Sequence, residues 1–224
     1  PRLGGSDLRV LTISGFPTST WPGLLDEMAS DEELVTDSTL LRVLQFADED
    51  YLINLGTDTA ERIARAQDIL GMRIGVENAS TYIAPPGAEM SEPEFVRAVV
   101  EQADCLLHLD VNNIYVNSRN FGFDPHVYLA HLPLDRTCYV HVAGHYVEDD
   151  GLVIDTHGSD VIDPVWQLLS QAYERMGHPV PTCLERDFNI PDLPTLTQEV
   201  VHIARLQQQA FANAPQRVQP QKVA

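Results

Sequence analysis

The stretch that decides the fold is Cys105-Leu106-Leu107-His108-Leu109-Asp110-Val111, CLLHLDV, which runs straight into Asn112 and Asn113. It is short, apolar and bounded by polar residues, the pattern of a buried strand. Its polar residue Asp110 stands at its C-terminal end. The same design recurs on both sides. RIGVE, 73–77, ends on Glu77; TCYVHV, 137–142, carries His141 near its end; TCLE, 182–185, ends on Glu185.

Helical patterns separate these runs. Residues 58–70 place Ile63, Ala66 and Ile69 in one apolar stripe, and Gly71 terminates the pattern. Residues 91–103 open with Ser91 and Glu94, the spacing of a capping box. Residues 125–131 form a short helix. Residues 164–176 place Trp166, Leu169 and Tyr173 on one side, and residues 196–211 form a closing helix. Strands alternating with helices predict βα units and a parallel sheet. Neither GxGxxG nor GxxxxGK[ST] follows any strand, which argues against a dinucleotide or P-loop fold. Polar residues at strand C-terminal ends suit a TIM-like (β/α) barrel, where active sites are built at that end.

Residues 1–50 are less regular. Strands are expected over 8–13 and 40–46, a turn-rich loop over 17–22 and a short acidic helix over 24–34. This divergent segment contains no His or Cys. The barrel part is expected over 51–212 and a disordered polar tail over 213–224. Long polar loops are expected at Pro85-Pro86-Gly87 and over 117–123, with Arg119 a surface residue.

The chain has 224 residues, 44% of them hydrophobic, enough for a large core. Its 33 Asp plus Glu against 14 Lys plus Arg give a formal net charge of -19, a field that repels nucleic acid. No apolar run reaches the roughly 18 residues of a membrane span, and the first ten residues lack a signal pattern. Cys105, Cys138 and Cys183 are odd in number, with no CxxC, so they read as core thiols in a reducing cytoplasm.

The strand ends carry the chemistry. A buried carboxylate costs several kcal/mol unless it is paired or binds a metal. One could be a capped structural group. Glu77, Asp110, His141 and Glu185, on successive strands, converge on one pocket in a parallel barrel. Oxygen and nitrogen donors without thiolate suit Fe(II), Mn(II) or Zn(II). Strand alternation lets Asn112 join Asp110, and His157 join Asp155, on one face. His108 shares that parity and is either an extra inner-layer residue or, as expected here, a core histidine. His126, His131, His178 and His202 are expected to be exposed.

The runs VENAS (76–80), LDVNNIYVNSRNFGFDP (109–125), HVAGH (141–145), IDTHG (154–158), DPVW (163–166) and LERDFNIP (184–191) stand in this order. Together they resemble the multinuclear non-heme iron-dependent oxidative enzymes, which include the methanobactin- and bufferin-type peptide-modifying enzymes. The resemblance spans about 51–211. It implies a TIM-like barrel holding two or three non-heme irons, with O2 as co-substrate. It implies oxidation of cysteines in a ribosomally made precursor peptide, in many members with a separate partner protein that engages the peptide. By resemblance, Glu77 bridges two irons. Asp110 and either Asn112 or Asn113 are ligands; His141 binds iron; Asp155 and His157 serve a further iron; Glu185 is another ligand. His145 and Asp187 orient ligands by hydrogen bonds, as does whichever of Asn112 and Asn113 is not a ligand.

The family pattern also has two histidines on early strands, whereas here no His precedes His108. The expectation is therefore a barrel incomplete at its N-terminus. Two other readings stay open: a divalent-metal hydrolase or isomerase of the xylose-isomerase-like class, and a truncated, non-catalytic metal-binding protein.

Overall fold

The computed structural model describes residues 57–83, 88 and 90–212. The elements expected before residue 57, the tail over 213–224 and Pro85-Pro86-Gly87 lie outside the described residues.

The described chain alternates helices and strands. In order these are α1 (Thr57–Leu70), β1 (Gly75–Glu77), α2 (Glu92–Gln102), β2 (Leu106–Asp110), α3 (Val111–Phe121) and α4 (Pro125–His131). A 3₁₀ turn (Leu134–Arg136) follows, then β3 (Thr137–Ala143), β4 (Tyr146–Val147), β5 (Val153–Ile154), α5 (Asp163–Met176), β6 (Thr182–Glu185) and α6 (Leu193–Phe211). Strands β1, β2, β3 and β6 form one sheet in that order, and every adjacent pair is parallel. Strands β4 and β5 form a separate antiparallel pair.

The predicted helix signals work as chemistry. Ser91 caps α2 through a capping box with Glu94, whose carboxylate accepts from the Ser91 N–H at 2.9 Å. Gly71 ends α1 at φ 67°, the left-handed position that glycine adopts at least cost.

Side-chain alternation divides the sheet into two chemically distinct faces. Leu107, Leu109, Val140 and Val142 are fully buried in the apolar core, with Val100 of α2 and Leu168, Leu169 and Tyr173 of α5. Burying each such side chain contributes roughly 1.5–3 kcal/mol. Their neighbours His108, Asp110, Tyr139 and His141 take the opposite face.

One expectation is corrected. Residues 117–123 are not a long loop, because α3 begins directly after β2 and runs to Phe121. Asp110 ends β2 and is also the N-cap of α3, accepting from the Asn113 N–H at 2.8 Å. Asn and Ser are poor helix formers. Here tertiary partners override that weakness: Asn112, Asn113, Asn117 and Ser118 are all buried within α3. The strand parity invoked for Asn112 therefore does not apply, since Asn112 lies in the helix.

The histidines outside the strand ends behave less uniformly than expected. His126 and His131 are exposed. His178 is half-buried and bridges the Met176 and Thr137 carbonyls at 2.9 and 3.1 Å. His202 stacks on Trp166 with ring centroids 4.6 Å apart. Cys105 and Cys138 are buried and Cys183 half-buried, all as free thiols. Burial pushes the Cys105 thiol up to about 11, which makes it inert. Among the described residues no helix is long and apolar enough to cross a membrane.

Candidate metal centre

Register brings the polar strand ends together. Glu77 pairs with His108, Asp110 with His141, and Ala143 with Glu185. His141 sits centrally. Its Nδ1 lies 2.9 Å from Glu185 Oε2, 3.4 Å from Glu77 Oε1 and 3.9 Å from Asp110 Oδ2. His157, in the loop after β5, joins from the side. Its Nε2 is 2.9 Å from Asp155 Oδ1, and its Nδ1 is 3.6 Å from Glu185 Oε2.

Two groups of three side chains bring one donor atom each within 4.8 Å of one another. One is Glu77, His108 and His141; the other is Asp110, His157 and Glu185. Glu185 Oε2 lies between the imidazoles of His141 and His157, and so links the groups.

The electrostatics are those of a crowded, buried site. Burial first, then the charges of Asp155 and Glu77, hold the Asp110 carboxyl well above its usual range. Burial would depress the His141 imidazolium, but the adjoining Glu185, Glu77 and Asp110 carboxylates override it and hold it up to about 10. Burial likewise opposes charge on His157, while Asp155, Glu185 and Asp110 raise it to about 9. Burial opposes ionisation of Glu185, yet His141 and His157 pull it below its ordinary value.

The donor set fits a metal ion. Asp110 Oδ2, His141 Nδ1 and His157 Nε2 are buried and make no aligned hydrogen bond among the described residues. The close approaches of His141 to Glu185 and of His157 to Asp155 satisfy distance, not hydrogen-bond direction. Buried polar atoms are otherwise paired almost without exception. Three of them in one site, on imidazole and carboxylate, match what a divalent cation would satisfy.

A ring of hydrogen bonds fixes these groups. Asn112 Nδ2 donates to Asp155 Oδ1 at 2.7 Å, and Asn112 Oδ1 lies 2.8 Å from His145 Nδ1. His145 stacks on Tyr115, with centroids 5.0 Å apart. Asn113 Nδ2 donates to the Asn78 carbonyl at 3.1 Å. Asp187 Oδ2 lies 3.1 Å from His157 Nδ1, and the Asp187 N–H donates to the His157 carbonyl at 3.2 Å. His157 has φ 52°, a strained value for a non-glycine residue, held by these contacts.

Glu77, Asp110, His141, Asp155, His157 and Glu185 are thus gathered at one place. Asn112 touches two of the site's side chains, Asp155 and His145. Sequence reasoning missed Asn78, which ties β1 to β2. It also missed the Tyr82 hydroxyl, which accepts from the Asp155 N–H at 3.0 Å. Asn78 directly follows Glu77, and that adjacency was its signal. Tyr82 had none.

A family model described as "RiPP precursor modification enzyme MbnB/TglH/ChrH" matches residues 55–208. The chain belongs to this family. Its relatives include a UPF0276 protein of Nitrosospira multiformis, 59% identical over 150 residues, covering 67% of this chain and 53% of the relative. A UPF0276 protein of Shewanella amazonensis is 54% identical over 152 residues, covering 68% and 54%. Another, of Pseudomonas aeruginosa, is 49% identical over 170 residues, covering 76% and 57%. The chain therefore spans about half the length of the curated relatives it matches. Residues 77–187, which contain the whole gathered site, lie inside the matched segment.

Proposed function

We propose that this chain carries the iron-binding part of an enzyme that oxidises cysteine residues in a ribosomally made precursor peptide, with two or three non-heme irons and O2 as co-substrate. The observation that supports this reading best is the pair of donor groups joined through Glu185. With one carboxylate oxygen near the imidazoles of both His141 and His157, Glu185 would serve both groups. The four parallel strands read as part of a TIM-like (β/α) barrel over 51–212, with the site at its C-terminal end.

Glu77, Asp110, His141, Asp155, His157 and Glu185 would hold the ions. Asn112, Asn113, His145 and Asp187 would orient them through the hydrogen bonds above. When bound, iron supplies one-electron redox chemistry and the activation of O2. The residues do the rest. Burial of Glu77, Asp110 and His141 keeps water from the reacting end of the site. The carboxylates balance the charge of the cations, and the rigid β-strand placement fixes their spacing. The peptide's thiolate would enter from the more exposed Glu185 and Asp187 side. A partner protein that engages the peptide and a reducing cytoplasm complete this reading.

Metal analysis after anaerobic Fe(II) loading tests it, followed by exposure to a Cys-containing peptide and O2 with mass spectrometry. Two or three irons and a peptide mass change are expected. One zinc or manganese without iron would support the hydrolase or isomerase reading, which the oxygen-rich group of Asp110, His157 and Glu185 also suits. No bound metal would leave a non-catalytic protein.

A further inference from the structure

We infer that His108 is a metal donor, completing with Glu77 and His141 a deep site of two imidazoles and one carboxylate. This rests on the reading that the strand ends hold metal.

His108 lies one strand position from the apolar core, yet it does not belong to it. Leu107 and Leu109 on either side enter the core cluster, so alternation turns His108 to the face that carries Asp110. In register it is the direct neighbour of Glu77 on β1. Its ring meets that of His141 edge-on, with centroids 4.1 Å apart and planes at 84°. Tyr139 flanks it at 5.2 Å. A packing histidine would be expected among aliphatic side chains. This one is fully buried beside two donor residues, with its donor atom within 4.8 Å of theirs.

The two groups then differ in kind. The deep one offers two nitrogens and one oxygen, and Glu77 and His141 expose only 5% and 11% of their side chains. The outer one, Asp110 with His157 and Glu185, offers one nitrogen and two oxygens and opens to solvent at Glu185. Imidazole-rich sites favour Fe, Co and Zn over the hard cations. The deep ion is therefore the one retained during purification, and the outer ion the exchangeable one.

The test is metal titration of the whole chain after chelation, with anaerobic Fe(II) and, as a spectroscopic probe, Co(II). Wild type is compared with His108→Gln, His108→Leu and, as a control on the outer group, Asp110→Asn. Both His108 variants are expected to lose one metal equivalent. Their affinity should fall by more than the roughly 10–100-fold that an outer hydrogen-bonding partner costs. The Co(II) visible bands of the tighter site should vanish. The metal-free melting temperature should hold, while the metal-dependent rise shrinks. Asp110→Asn should remove the weaker equivalent instead.

Unchanged stoichiometry and affinity in both His108 variants would overturn the inference alone and leave the functional reading standing. So would a collapse of the metal-free protein in both, which would make His108 a packing residue. Failure of wild type to bind any metal would overturn both together.

Discussion

Asn78 and Asp110 exchange two buried hydrogen bonds: Asn78 Nδ2 donates to the Asp110 carbonyl at 2.8 Å, and the Asp110 N–H donates to Asn78 Oδ1 at 2.9 Å. The β1–β2 ladder ends at the pair Glu77 and His108. A side-chain amide thus continues it where the backbone of β1 turns away. Asn113 adds a third tie by donating to the Asn78 carbonyl. These bonds hold Glu77 and Asp110, on adjacent strands, at a fixed spacing.

Asn78→Ala should therefore destabilise the chain by about 2–3 kcal/mol, since it leaves a buried N–H and carbonyl without partners. Urea denaturation measures this as a lowered midpoint. Asn78→Asp should be nearly as harmful, because the carboxylate cannot donate to the Asp110 carbonyl. An unchanged midpoint would show that water replaces the amide.

Asp110→Asn separates the two tasks of Asp110. Asn caps helices as well as Asp does, so the bond from the Asn113 N–H survives. The buried charge beside Asp155 and Glu77 is removed. The metal-free protein should gain on the order of 1 kcal/mol, while metal binding weakens. Thermal melts with and without Fe(II) check both halves. A loss of metal-free stability would contradict the charge argument.

Asn112→Ala should lower metal affinity by roughly 10–100-fold with little change in stoichiometry. Both ends of the Asn112 amide are engaged, by Asp155 and by His145. Loss of a whole metal equivalent would show instead that Asn112 is itself a ligand.

Glu92 should give the fold a pH dependence remote from the site. Burial raises its carboxyl above the ordinary 4.5, against hydrogen bonds from Tyr128 and Asn117. The folded state then holds the proton more tightly than the unfolded chain. Its contribution is fully present below pH 4.5 and is lost as pH rises through the folded value. Glu92→Gln should flatten that slope while keeping partners for Tyr128 and Asn117. Denaturation midpoints across pH 4–7 decide it, and identical slopes in both proteins would refute it.

Gly144, between His141 and His145, packs against the backbone of Ser159 and Asp160, where a Cβ would collide with the Ser159 carbonyl. Gly144→Ala should cost about 3 kcal/mol and shift the loop that carries His157. Differential scanning calorimetry and metal titration would both register it.

Much of this was legible without coordinates. The apolar runs, Gly71 and the Ser91–Glu94 box mark where strands and helices lie, because hydrophobic period and capping are local physics. Glu77, Asp110, His141 and Glu185 stand out because burying a charge at a strand end demands a partner. Local reasoning failed over residues 117–123, where Asn and Ser suggested a loop and buried hydrogen bonds carry α3 to Phe121. For His108 it stopped short. Its strand face could be read from the sequence, but not its place beside Glu77 and His141, because parallel register is set by non-local pairing across helices. The sequence alone determined which elements form and which side chains must find a partner. Only the tertiary structure decided which partner each one found, because contacts between strands far apart in the chain are made by packing and not by neighbours.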